Sequence, residues 1–450
     1  MSKVSRGSRL KRAALLLALL GGWVAAQGAS TGPTTGPTTG SGFKGSAAPP
    51  APVNAQAVYD AGASFIKTFY NGFAPVNLPA QINLYRQELM ASCGAEKTTC
   101  PLSFGYDALQ NLTRSFADRH LYSLNAAQYA RFTAHYDHSE PAIATYGLAL
   151  GPTGPQGAVV LELLPSGVAA QAGLQIGDFV RVGTDTLTTA SLDAQPQVTL
   201  NVTRGPKQWS VTLKRGLTVP ELLPVLYAPA DAPKGVMVLR IPSFRYTEEV
   251  GPKVHALVKQ AQAQGATALI VDLRSGSGGS NYECEMAAAA FTGPFRYVMQ
   301  TRRGNFEAGW VGTRSLDAGE RAFFDVTPPI TQQHLSYELP EPAHWTGKTV
   351  VLVNARSASC HEAMAYFMQQ KGIRVIGEET VGLLNTSSIL HALPSGGAVV
   401  VPITRNALPD GTPFPERITP DVPLHADLSY VAAGQPDPYL QEAYRQLARP

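Results

Sequence analysis

Apolar positions change their spacing several times along this chain, and each change predicts a different kind of structure. Between residues 54 and 139, Ala57-Val58, Ala61, Phe65-Ile66 and Phe69 recur at helical spacing, as do Leu84, Leu89 and Met90. A further short amphipathic helix is expected over 107–116. From about residue 142 the apolar runs shorten to strand length at 146–150, 158–161, 179–182, 198–202 and 209–213. Between them, 164–178 reads as a short helix closed by Gly173 and a turn at Gly177-Asp178. From Gly235 buried-type strands at 236–241, 268–273, 350–353 and 373–376 alternate with helices at 250–263, 280–290 and 362–370. That alternation predicts a largely parallel α/β sheet. Beyond His391 the turns 394–397 and 408–412 predict hairpins, and 299–345 reads as an irregular excursion.

The amino terminus belongs to none of these patterns. Lys3, Arg6, Arg9, Lys11 and Arg12 precede an apolar run over 13–26 that ends in Val24-Ala25-Ala26, which together read as a cleavable secretory signal peptide. Loss of those five charges takes the formal net charge from +3 to −2, so the basic balance belongs to the leader and points to no nucleic-acid partner. Residues 27–53 are rich in Gly, Pro, Thr and Ser and read as a tether without a core of their own. The expected organisation is 1–26 leader, 27–53 linker, 54–141 helical domain, 142–216 small β domain and 217–450 α/β core with a carboxy-terminal segment. Export places the mature chain in a periplasmic, cell-envelope or extracellular setting, with no stable membrane span after cleavage, and permits disulfides. Cys93 and Cys100 flank a short polar loop and suit a local disulfide, while Cys284 and Cys360 can pair or stay free. Neither pair has metal-ligand spacing, and no cofactor is implied.

Two turns in the α/β region can carry chemistry. The strand 350–353 ends in small polar residues before a helix that starts near Glu362, with Ser359 at the turn. A serine there is either a helix cap or a projecting nucleophile. The run Arg274-Ser-Gly-Ser-Gly-Gly-Ser280 also follows a strand and precedes a helix. Its glycines lack Rossmann or Walker spacing, which leaves a plain turn or a loop whose N–H groups approach a reacting oxyanion.

Six blocks in order give the chain a resemblance to the carboxy-terminal processing (tail-specific) serine proteases. Asp118-Arg-His120 is similar to the family's Asp-Pro-His-Thr block, and 142–216 resembles a PDZ domain. Leu269-Ile-Val-Asp-Leu-Arg274 with Gly278-Gly279, Ser357-Ala-Ser359-Cys-His-Glu362, Gly377-Glu-Glu-Thr-Val-Gly382 and Ile418-Thr-Pro-Asp-Val422 complete the series. The resemblance implies Ser359 as nucleophile, with backbone oxyanion donors at Gly278 or Gly279 and at Cys360. It also puts Tyr146-Gly147-Leu148 where PDZ domains bind a peptide carboxylate beside an added strand. Two positions depart from the pattern. Leu383 stands where these proteases carry a lysine base, and Gly276 stands where they carry Asn.

A serine hydroxyl needs a base beside it. The tricorn-like branch, which the His120 block is similar to, uses a Ser-His-Glu site in place of the Ser-Lys dyad. This implies His120 as base and Glu416 as its orienting acid, with Asp118 an alternative acid. His361 lies two residues after the serine, where a helix should turn it away, and His135 and His138 lie in a linker-like run. The expected fold is multidomain α+β: a helical amino-terminal domain, a PDZ-like β domain and a ClpP/crotonase-like α/β protease core. The expected function is exported serine endopeptidase, with polypeptide substrate held by the PDZ-like domain and cleaved through a Ser359 acyl-enzyme. Leu383 favours the alternative, an inactive peptide-binding scaffold of the same fold.

Overall fold

A computed structural model describes residues 54–449 apart from 95–99, 135–142, 155, 165, 184–186, 219–221, 230, 317–337, 395 and 427–434. The leader and tether lie outside the described residues, as do His135 and His138. Within the described part, no helix is long and apolar enough to cross a membrane. The chain divides into two compact units, one containing 141–221 and the other combining 51–140 with 222–425 and 438–450.

In the larger unit the predicted alternation produces a sheet in which Val236–Arg240, Ala268–Asp272, Lys348–Val353, Arg374–Gly377 and Val422–Pro423 run parallel. Val225–Tyr227 closes one edge in the antiparallel sense. Helices Val250–Ala263, Asn281–Thr292 and Cys360–Gln370 connect successive strands. Every residue of Ala268–Asp272 is buried, which explains why it reads as a continuous apolar run rather than an alternating one. Burying Leu269, Ile270 and Val271 stabilises the fold by roughly 1.5–3 kcal/mol per side chain. Asp272 sits at the inner end of that strand. Burial pushes its carboxyl up, but Arg274, paired at 2.8 Å, outweighs this and holds it below the usual carboxylate range.

A second sheet is antiparallel. Its central strand Ala398–Ala407 pairs with Tyr122–Leu124, Phe295–Thr301 and Thr386–Ala392, and Gly304–Val311 continues the sheet beyond Phe295–Thr301. The helices Ala55–Phe69, Leu78–Cys93 and Leu102–Ser115 do not form a separate body, contrary to the expected division at residue 141. Val58, Ile66, Leu109 and Leu112 share one apolar cluster with Val399, Val401 and Ile403 of the central strand. An amphipathic helix must bury its stripe somewhere, and a strand distant in sequence supplies the surface. Cys93 and Cys100 are joined by a disulfide, and Cys284 and Cys360 are free thiols.

The excursion at 299–345 is partly regular. Phe295–Thr301 and Gly304–Val311 form a hairpin in register from Phe295↔Trp310 to Thr301↔Gly304. Its turn residues, Arg302-Arg303, carry no Asn-Gly or Asp-Gly signal. The hairpin is instead held by burial of Tyr297, Met299, Ala308 and Trp310.

The smaller unit is a five-stranded antiparallel sheet of Leu148–Gly154, Gly157–Leu163, Phe179–Arg181, Gln197–Arg204 and Lys207–Lys214, in that order. Ile143–Thr145 pairs with Gly216–Thr218, and short helices occupy Val168–Gln171 and Thr189–Asp193. Tyr146, Leu148, Val160, Leu192 and Leu200 fill its core.

Candidate active site

Three sequence blocks meet because their strands are adjacent and parallel. The loops after Asp272, Val353 and Gly377 leave the carboxyl ends of neighbouring strands, the edge where open α/β sheets place their ligands. Cross-links bind them together. Ala358 N–H donates to Gly276 O at 2.9 Å, Ser357 Oγ donates to Leu273 O at 2.9 Å, and Val381 N–H donates to Ser357 O at 3.0 Å.

Ser359 stands at the head of helix Cys360–Gln370 with φ 55° and ψ −119°. A non-glycine residue held there costs on the order of 1–3 kcal/mol, so the surroundings must hold it. Glu362 does so. Its buried carboxylate accepts the Ser359 N–H at 2.6 Å, the Gly382 N–H at 2.8 Å, the Leu383 N–H at 2.9 Å and the Thr380 hydroxyl. Burial raises the Glu362 carboxyl above its ordinary pKa, and these donors oppose that rise. The Glu362 carboxylate therefore ties the serine turn to the 380–383 loop.

Gly278 comes right up to the serine. A Cβ built on it would fall 3.1 Å from Ser359 Oγ, and its φ of 96° is one that glycine adopts without strain. Its N–H, however, is taken: it donates to His361 Nδ1 at 3.1 Å. That removes Gly278 from the expected oxyanion donors in this structure. The amides of Gly279 and Cys360 have no hydrogen-bond partner among the described residues.

His361 was expected to point elsewhere, and it does turn from the serine, but into the glycine loop. It is fully buried, and its Nε2 lies 3.0 Å from Ile241 O. With a carbonyl at Nε2 and an N–H donor at Nδ1, the ring must be the neutral Nε2–H tautomer. Burial lowers its pKa to about 4, against a smaller upward pull from Ile241 O. Only its spacing after Ser359 is visible in the sequence, and nothing there reveals the loop it supports.

Ser359 opens on a cavity lined also by Cys360, Leu383, Leu384, Thr386 and Phe414. No imidazole, carboxylate or amine lines it, and Leu383 occupies the place where the resemblance expects lysine. His120 lies behind this wall. It is 7% exposed, and its Nδ1 is 2.6 Å from Thr386 Oγ1. Burial lowers its pKa to about 4. Thr386 was missed in the sequence because 266 residues separate it from His120. The two come together through the central strand, which pairs with Tyr122–Leu124 and with Thr386–Ala392.

Neither expected acid reaches the imidazole. Glu416 is exposed and pairs with its neighbour Arg417 at 2.9 Å, so solvent and an adjacent guanidinium satisfy it instead. Asp118 binds the backbone of His120, accepting its N–H at 3.0 Å, while its other oxygen accepts Tyr70 Oη–H at 2.9 Å.

The expected carboxylate loop of the smaller unit is also engaged. Tyr146 N–H donates to Asp193 Oδ1 at 3.1 Å and Gly147 N–H to Thr145 Oγ1 at 3.1 Å. Tyr146 and Leu148 are buried in the unit's own core. These two amides are spent on local structure, which removes them as carboxylate donors here.

Comparison with known proteins agrees with this architecture. Residues 235–424 match peptidase family S41. Carboxyl-terminal-processing peptidase 2, chloroplastic, of Arabidopsis thaliana is 26% identical over 316 residues, covering 65% of this chain and 56% of that protein. The chain thus matches little more than half the length of that relative. A solved protein assigned to the S41 proteases of Bacteroides fragilis NCTC 9343 shares the fold at a TM-score of 0.57 and 13% identity, covering 86% of this chain and 97% of that one. Over residues 235–424, and not beyond them, the chain is similar to peptidase family S41.

Proposed function

We propose that this chain is an exported serine endopeptidase in which Ser359 attacks the scissile carbonyl and forms an acyl-enzyme. The observation that carries this reading is the backbone of Ser359, held at φ 55° and ψ −119° by the Glu362 carboxylate. A helix cap needs no such geometry, whereas an exposed nucleophile on a strand-to-helix turn does. Gly279 and Cys360 are the oxyanion donors in this reading, because their amides are uncommitted and the Gly278 amide is not. His120 is the base. Burial keeps it neutral at physiological pH, the form able to accept a proton.

The smaller unit would capture extended polypeptide by strand addition along an edge of its sheet, where Leu148–Gly154 and Lys207–Lys214 are the outer strands. The Cys93–Cys100 disulfide supports an oxidising, exported setting. One observation favours a second reading, a peptide-binding scaffold without turnover: no imidazole, carboxylate or amine lines the cavity beside Ser359.

Incubation of the mature protein with an unfolded polypeptide, followed by mass spectrometry, tests the two. Cleavage that disappears in Ser359→Ala supports the peptidase. Binding without cleavage by the unsubstituted protein overturns it in favour of the scaffold.

A further inference from the structure

The geometry points to the hydroxyl of Thr386 as the proton relay between His120 and Ser359. This rests on the reading of Ser359 as nucleophile and His120 as base. Ser359 and Thr386 line one cavity, and His120 does not line it. His120 touches that cavity's wall through one short contact, Nδ1 to Thr386 Oγ1 at 2.6 Å. Both partners are nearly inaccessible, at 7% and 8% exposure, so bulk water does not join them. A hydroxyl can accept one hydrogen bond while donating another, which an apolar wall residue cannot do. Leu383 and Leu384, the neighbours along the same loop, offer no such group.

The step balances without another reactant. As Ser359 Oγ bonds to the carbonyl carbon, its proton passes to one water in the cavity that both residues line, and that water gives a proton to Thr386 Oγ1. The proton of Thr386 passes at the same time to His120 Nδ1, and the carbonyl π electrons move to its oxygen. On collapse the C–N bond breaks, and the proton returns from His120 through Thr386 to the leaving amine. The relay requires His120 to rest with Nδ1 bare and Nε2 protonated. A threonine that merely orients the ring, as a carboxylate does in a triad, would instead accept from Nδ1–H and leave Nε2 bare.

The ¹⁵N chemical shifts of the His120 imidazole in the unsubstituted protein, assigned by loss of the signals in His120→Ala, distinguish these tautomers whether or not the protein cleaves anything. Resting Nε2–H supports the relay, and resting Nδ1–H overturns it. Kinetics form the second arm. In Thr386→Val, kcat should fall about 10²-fold or more, to the level of His120→Ala, with KM within about twofold of the parent. Thr386→Ser should recover kcat to within about tenfold of the parent, because it keeps the hydroxyl. Circular dichroism and thermal melts check that each variant folds. A folded Thr386→Val with full kcat beside an inactive His120→Ala would overturn the relay while leaving the peptidase reading intact. Absence of cleavage by the unsubstituted protein would instead remove the peptidase reading, and the tautomer would still report on the hydrogen bond.

Discussion

The imidazole of His361 occupies the space that any side chain at position 276 would need: a Cβ built on Gly276 lies 1.9 Å from His361 Nε2. Gly276 and His361 are therefore packed as one feature. The ring fills the space beside the glycine loop and holds the loop by accepting the Gly278 N–H. Gly276→Ala should destabilise the fold by about 1–3 kcal/mol through overpacking. Removing the ring as well, in Gly276→Ala/His361→Ala, should be less destabilising than the sum of the two single changes. Urea denaturation of the four proteins measures this, and simple additivity would mean that the two residues are not coupled.

Glu362 joins the serine turn to the 380–383 loop through three backbone N–H groups and the Thr380 hydroxyl. In Glu362→Gln an amide NH₂ must face donors that need an acceptor. We expect a loss of about 3 kcal/mol, in line with charged hydrogen bonds at a buried site. Cleavage should fall with it, since Ser359 is no longer held in its strained backbone. An unchanged urea midpoint would rule out this bracing role.

Two buried histidines make stability sensitive to acid. His120 and His361 have folded pKa values near 4, below the ordinary 6.5, because burial disfavours the imidazolium. The unfolded chain therefore binds more protons than the folded one between these values. The stabilisation is present above pH 6.5 and is lost as pH falls through 4. By linkage each histidine accounts for about 2 kcal/mol lost between pH 7 and pH 5. Thermal melts across that range should show Tm falling with acid, and His361→Asn should flatten the slope. Burial also pushes Glu283 up to about 7, which opposes this trend, so the comparison of variant with parent decides: a His361→Asn slope identical to the parent's would contradict burial of that ring as a neutral group.

Leu383 lines the cavity beside Ser359 at the position where the resembling proteases carry lysine. In a His120→Ala background, Leu383→Lys should restore cleavage by at least about tenfold, because burial lowers an amine's pKa and leaves it able to accept the serine proton. Rates on an unfolded polypeptide would measure the rescue. Failure of a folded double variant to recover would show that the 383 side chain does not reach the serine.

Periodicity alone determined the parallel core strands, the helices between them and the turn bearing Ser359, because a buried strand or amphipathic helix writes its pattern within a dozen residues. Block order pointed to the nucleophile and, through Leu383, to a missing lysine. Tertiary structure decided the rest. Contacts such as His120 with Thr386, His361 with Gly278 and Ile241, and the amino-terminal helices with Ala398–Ala407 join segments far apart in the chain. Local pattern carries no record of such pairings, since each partner is an ordinary polar or apolar residue in its own segment. The same reason accounts for the acids. Glu416 and Asp118 had suitable chemistry and plausible positions, but their oxygens are directed to Arg417 and to backbone and Tyr70, and only the folded geometry distinguishes those partners from an imidazole.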